Sequence, residues 1–90
     1  MKQELHTTIY ESETVKIQTI KSFGFKSAEG EWFEQGEEEV ALLTKGRAVL
    51  SFADRDVSIK KGESCIIKRH EKHKILYTSK NCEWYCVYVK

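Results

Sequence analysis

Proline is absent from this chain of 90 residues, glycine occurs only five times and cysteine three times. Without proline, the turns must be made by Gly30, Gly36, Gly46, Gly62 and by Asp, Asn and Ser positions. No stretch has the composition of a flexible linker, and no internal repeat or low-complexity tract is present. The three cysteines are an odd number and form no disulfide framework, so a reducing cytoplasm is the expected compartment. No apolar run approaches the roughly 20 residues that span a bilayer. The opening "MKQELHTTIYESE" lacks the apolar core of a secretory signal. There is also no excess of one charge. Fifteen Lys and Arg against fourteen Asp and Glu leave +1, which argues against a nucleic-acid or anionic-membrane partner.

Apolar residues make up 40% of the chain and charged residues 32%, the balance of one folded domain spanning residues 1–90. Almost nothing has helical spacing. Short runs rich in β-branched and aromatic residues alternate with turn signals every eight to twelve residues, which predicts an antiparallel sandwich or barrel. Strands are expected near Thr14–Lys21, Glu31–Gln35, Glu39–Thr44, Ala48–Phe52, Asp56–Lys60, Ser64–Ile67, His73–Thr78 and Cys82–Val89. "TKGR" at 44–47 fits a tight hairpin with Gly46 at positive φ. "VALL" at 40–43 and "WYCVYV" at 84–89 are apolar on both faces, whereas a half-solvated strand alternates. Their second face needs a cover: the lead-in segment 1–12, or a second copy of the chain in a homodimer.

"EEVALLTKGRAVLSF" followed by "IKKGESCIIKRHEKHKI" resembles the cupin superfamily, small β-barrels with two signature motifs. In the first, His-x-His is followed by Glu and then Gly; Glu39 and Gly46 stand at the family's spacing. In the second, Gly62 opens the motif and His73 falls on its histidine. The resemblance covers residues 27–88 and implies an all-β fold, a small antiparallel cupin-like barrel or jelly roll. It also implies a divalent metal (Zn, Fe, Mn or Ni) and a small-molecule ligand in the barrel. The departures are specific. Phe33 and Gln35 occupy the two histidine positions of the first motif, and Lys68 and His70 replace the proline and glycine of the second. A glutamine oxygen is a weak ligand and phenylalanine is none.

The metal set implied by this resemblance is Glu39, His70 and His73, with Gln35 as fourth ligand. The alternative is a metal-free polar cluster in a non-catalytic binding or oligomerisation module. Glu39 shares its strand face with Ala41 and Leu43, so its carboxylate needs a cation, a proton or a hydrogen-bond partner. His73 can be that partner, and such a pair can also serve acid–base chemistry. No catalytic residue is assigned. Ligand contacts are expected from Trp32, Phe33 and Tyr77, whose rings can pack on a planar molecule. Six glutamates lie between positions 29 and 39, and four Lys or Arg between 68 and 74. Both segments should border one end of the barrel. Cys82 and Cys86 lie about 13 Å apart along a strand, too far to pair, and are expected in the core with Cys65.

Overall fold

The computed structural model describes residues 3–90. It contains eight strands: β1 (Leu5–Glu11), β2 (Val15–Lys21), β3 (Glu38–Lys45), β4 (Arg47–Phe52), β5 (Asp56–Lys60), β6 (Ser64–Ile67), β7 (His73–Thr78) and β8 (Glu83–Val89). They form a five-stranded sheet in the order β1-β2-β8-β3-β6 and a three-stranded sheet in the order β5-β4-β7. All neighbours are antiparallel. The two sheets face each other as an all-β jelly roll, as expected.

Strand alternation decides what lies between the sheets. Ala41 and Leu43 on β3, Trp84 and Cys86 on β8, and Cys65 and Ile67 on β6 point inward from the larger sheet. Ala48, Leu50 and Phe52 on β4 and Ile59 on β5 meet them from the smaller one. The three cysteines are free and buried, as core residues should be. Burial pushes the Cys82 thiol up to about 11.

Gly46 closes the β3–β4 hairpin at φ +80°. Bonds from Arg47 N–H to the Ser79 hydroxyl and from Ser79 N–H to the Arg47 carbonyl lock this hairpin to the β7–β8 connection.

Two expectations need correction. No strand forms over Glu31–Gln35; only Phe33 bridges to His73. Gly30 bends the chain at φ +78°, and the flanking glutamates stay in solvent. Conversely, most of the lead-in segment is a strand. Residues 1 and 2 of it lie outside the described residues, but β1 pairs along β2 and extends the larger sheet at its edge. It therefore does not fold over that sheet's outer face. Among the described residues "VALL" is not covered on both sides: Ala41 and Leu43 are buried while Val40 is 38% exposed.

Candidate functional site

Between the sheets lies a cavity of about 510 Å³. Its walls are mainly apolar: Ile20, Ala41, Leu50, Ile67, Ile75 and Trp84, with Phe25 and Phe33. Polar groups come from Glu39, Gln35, His73 and Tyr88 within, and from Glu4, His6 and Glu34. Among the described residues, no lysine or arginine lines it.

Glu39 is the first inward residue of β3 and is 6% exposed. It accepts a hydrogen bond from the Gln35 amide at 3.2 Å. Burial raises its carboxyl pKa; hydrogen bonds from the Cys86 thiol and Gln35, and the nearby His73, pull it partly back. Burial, and then the Glu39 charge, push the Cys86 thiol and Tyr88 hydroxyl upward, so both stay neutral.

His73 opens β7 facing inward, 8% exposed, as the motif spacing predicts. Its Nδ1 is 3.0 Å from the Glu71 carbonyl. A carbonyl only accepts, so Nδ1 carries a proton and donates here. Phe33 and His73 exchange backbone bonds of 2.7 and 3.0 Å, and their ring centroids are 6.2 Å apart. The second histidine has a different fate. His70 is the third residue of the Lys68–Glu71 turn and has φ +60°. A left-handed φ at that place explains why the family motif carries glycine there. The His70 ring lies at the surface, 3.6 Å from the Glu34 carboxylate. Glutamate-rich 29–39 and basic 68–74 do run side by side: His70 N–H donates to the Gln35 carbonyl, and Arg69 to the Gly36 carbonyl.

The ligand set named from the motifs is thus not gathered at one point. Glu39, Gln35 and His73 line the cavity; His70 does not. Phe33 stands beside His73 where the motif has its first histidine, and Gln35 spends its amide on Glu39. Among the described residues no three His, Cys, Asp or Glu side chains are close enough to hold a metal ion. These residues do not fit a three-histidine, one-carboxylate metal centre. Of the expected ligand contacts, Phe33 lines the cavity. Trp32 lies outside it under the Lys74 ammonium, 4.7 Å from its ring centre. Tyr77 borders a separate surface groove with Arg47, Ser58 and Glu63.

Sequence reasoning missed a relay farther along the inner face of the larger sheet. Trp84 Nε1–H donates to the Ser22 hydroxyl at 3.1 Å, and Ser22 donates to the Glu4 carboxylate at 2.9 Å. This ties the segment before β1 to the cavity wall. The only sequence signal was a tryptophan on the inward parity of β8.

The raised Glu39 pKa has a testable sign. The folded state holds this proton more tightly than the unfolded chain does. Its stabilising contribution is full below the ordinary value of 4.5 and is lost as pH rises through the raised value. Glu39→Gln keeps an oxygen to accept from Gln35 and cannot ionise. Melting temperatures measured across pH should show the variant gaining on the wild type as pH rises above 4.5. A gap that is flat or shrinks with pH would refute the assignment.

A barrel of two antiparallel sheets with one inward histidine and one inward glutamate at motif spacing defines a cupin. The chain matches the AraC-like ligand-binding domain family over residues 32–90, and it belongs to that family. Solved structures agree on the fold. A provisionally assigned mannose-6-phosphate isomerase from Ralstonia eutropha JMP134 superposes with TM-score 0.92 at 21% identity, over 98% of this chain and 85% of that one. A cupin superfamily protein from Desulfitobacterium hafniense DCB-2 gives 0.79 at 19% identity, covering 97% and 77%. A cupin-2 domain protein from Shewanella frigidimarina NCIMB 400 gives 0.78 at 20% identity, covering 96% and 80%. A comparison with curated protein sequences gave no match.

Proposed function

We propose that the chain is a metal-free binding barrel whose cavity takes an uncharged small molecule with an apolar body. The observation that carries this is the cavity's composition: about 510 Å³, apolar walls, a polar group of Glu39, Gln35 and His73, and no Lys or Arg among the described lining residues. Its size falls in the usual range of about 300–1,000 Å³ for small-molecule sites. The apolar walls favour a hydrocarbon or aromatic body by removing its surface from water. Among the described lining residues an anion would be desolvated without Lys or Arg and beside carboxyl groups, which is costly. A sugar phosphate, the substrate in the name of the Ralstonia neighbour, would find no Lys or Arg among the described lining residues to offset its phosphate charge.

A matched pair of fluorescent probes tests this. Phenylnaphthylamine is neutral; anilinonaphthalene sulfonate adds a sulfonate to the same body. The neutral probe should bind one per chain and at least about tenfold more tightly, a difference of about 1.4 kcal/mol. Ala41→Leu, which adds bulk to the cavity wall, should weaken it by a similar factor while leaving the circular dichroism unchanged. Equal or tighter binding of the sulfonate would overturn the charge preference; an Ala41→Leu protein binding normally would remove the cavity as the site. Untagged protein should also carry well below one divalent ion per chain; a full complement lost in His73→Ala would instead establish a metal centre.

A further inference from the structure

The outer face of the three-stranded sheet carries a groove of about 370 Å³. It shares no lining residue with the cavity between the sheets. Strand parity builds it. Ala48, Leu50 and Ile59 point into the core, so Arg47 and Val49 on β4 and Ser58 and Lys60 on β5 face outward. Register then sets two rows across the sheet. Lys60 stands opposite Arg47, and Ser58, Val49 and Tyr77 lie side by side. The rows are two residues apart, roughly 7 Å.

The first row is electrostatically unfavourable as it stands. Like charges directly opposite across an antiparallel pair repel. The chain has three arginines. Arg55 pairs with Asp54 and Glu71, and Arg69 donates to the Gly36 and Lys90 carbonyls. Among the described residues neither the Arg47 guanidinium nor the Lys60 ammonium forms an ion pair. Glu63 also borders the groove, but its Oε1 accepts from Lys60 N–H at 2.9 Å and closes the β5–β6 turn. The turns at this end of the barrel deepen the imbalance. Residues 44–47, 60–63 and 79–82 carry Lys45, Lys61 and Lys80 besides Arg47 and Lys60, against Glu63 alone. Glu83, the next carboxylate, is already shared by Lys21 and Lys45 at 3.8 and 3.6 Å. A chain of net charge +1 thus concentrates positive charge around one groove.

We propose that this groove is a second small-molecule site, taking an aromatic phosphate monoester. The guanidinium fork of Arg47 matches two phosphate oxygens and the Lys60 ammonium adds a point charge. A dianion between them removes the repulsion of the first row. The second row receives the ring: Val49 is half-buried, Tyr77 is 45% exposed and offers an aromatic surface, and Ser58 offers a hydroxyl. A single-ring ester spans the distance between the rows, and the groove's volume lies within the usual range of about 300–1,000 Å³.

Calorimetric titration with phenyl phosphate, phenol and inorganic phosphate tests this. Phenyl phosphate should bind one per chain, at least about tenfold more tightly than either fragment, and should weaken as salt rises. Arg47→Gln and Lys60→Gln should each cut that affinity by about tenfold or more. Neither should lower the melting temperature, because each removes one of two opposed like charges; a purely structural role would lower it. Tyr77→Ala should bring the ester down to the level of inorganic phosphate. Amide NMR shifts caused by phenyl phosphate should cluster at residues 47–49, 58–60 and 77. Shifts centred on Glu39 and His73 would place the ester in the cavity and overturn the second site. Inorganic phosphate binding as tightly as the ester, or undiminished binding by Arg47→Gln, overturns the proposal as well. A neutral phosphotyrosine peptide binding about tenfold more tightly than phenyl phosphate would overturn the small-molecule assignment in favour of a protein partner. Anilinonaphthalene sulfonate held in this groove is lost in Arg47→Gln and unaffected by Ala41→Leu, so the two sites are read separately.

Discussion

Gly46→Ala is expected to destabilise the protein by about 3 kcal/mol and to lower its melting temperature by roughly 12–24 °C. Two independent costs combine. The residue sits at φ +80°, where an L side chain costs about 1–2 kcal/mol. The hairpin is also pressed against the β7–β8 connection. A Cβ at Gly46 would overlap the Ser79 hydroxyl, and would stand 2.8 Å from Asn81 Oδ1 and 3.1 Å from Cys82 Cα. The last contact is backbone and cannot swing away. Ser79 cannot move freely either, because its hydroxyl accepts from Arg47 N–H and donates to Asn81. Chemical denaturation of wild type, Gly46→Ala, Ser79→Ala and the double variant measures the coupling. The double variant should be less destabilised than the sum of the singles, because the overlap with the hydroxyl is gone. A loss below about 1 kcal/mol in Gly46→Ala would show that the turn can re-form without glycine.

Trp84→Ala should cost about 3–5 kcal/mol and abolish binding of the neutral probe. The indole is buried, forms one wall of the cavity and holds the Ser22–Glu4 relay through its N–H. Deleting it enlarges an existing 510 Å³ cavity rather than letting the walls collapse, so the cost should fall at the upper end. Trp84→Phe separates the two roles. Phenylalanine restores most of the apolar wall but removes the donor to Ser22, a loss of about 1 kcal/mol with binding reduced rather than abolished. Stability comes from urea unfolding and binding from probe titration. Full probe binding by a folded Trp84→Ala protein would dissociate the indole from the site.

The strand pattern from Asp56 onward was legible because each run is bounded by a strong turn signal. Asp56–Lys60, Ser64–Ile67 and His73–Thr78 form at the expected residues. β1 was not legible as a strand. "LHTTIYE" has no apolar alternation, and it becomes a strand because β2 offers an unpaired edge. Glu31–Gln35 failed in the opposite direction: its aromatic pair suggests a strand, but a single bridge is all that β7 can give it.

For the site, the resemblance to the cupin motifs placed His73 inward, and parity with Ala41 and Leu43 did the same for Glu39; both line the cavity. Spacing could not resolve His70. One backbone angle, φ +60° in a tight turn, carries its ring away from the cavity, and no side-chain property announces that angle. Trp84, Ser22 and Glu4 share one hydrogen-bonded chain although 62 residues separate the first two and 18 the last two. The sequence by itself determined the all-β class and the strand parities, because these follow from local alternation and turn chemistry, while the family came from the resemblance of its two motifs. The tertiary structure alone decided which polar groups meet in the cavity and which sheet face stays bare. Those depend on how strands distant in the chain pair, and pairing is settled by the edges available when the sheets assemble.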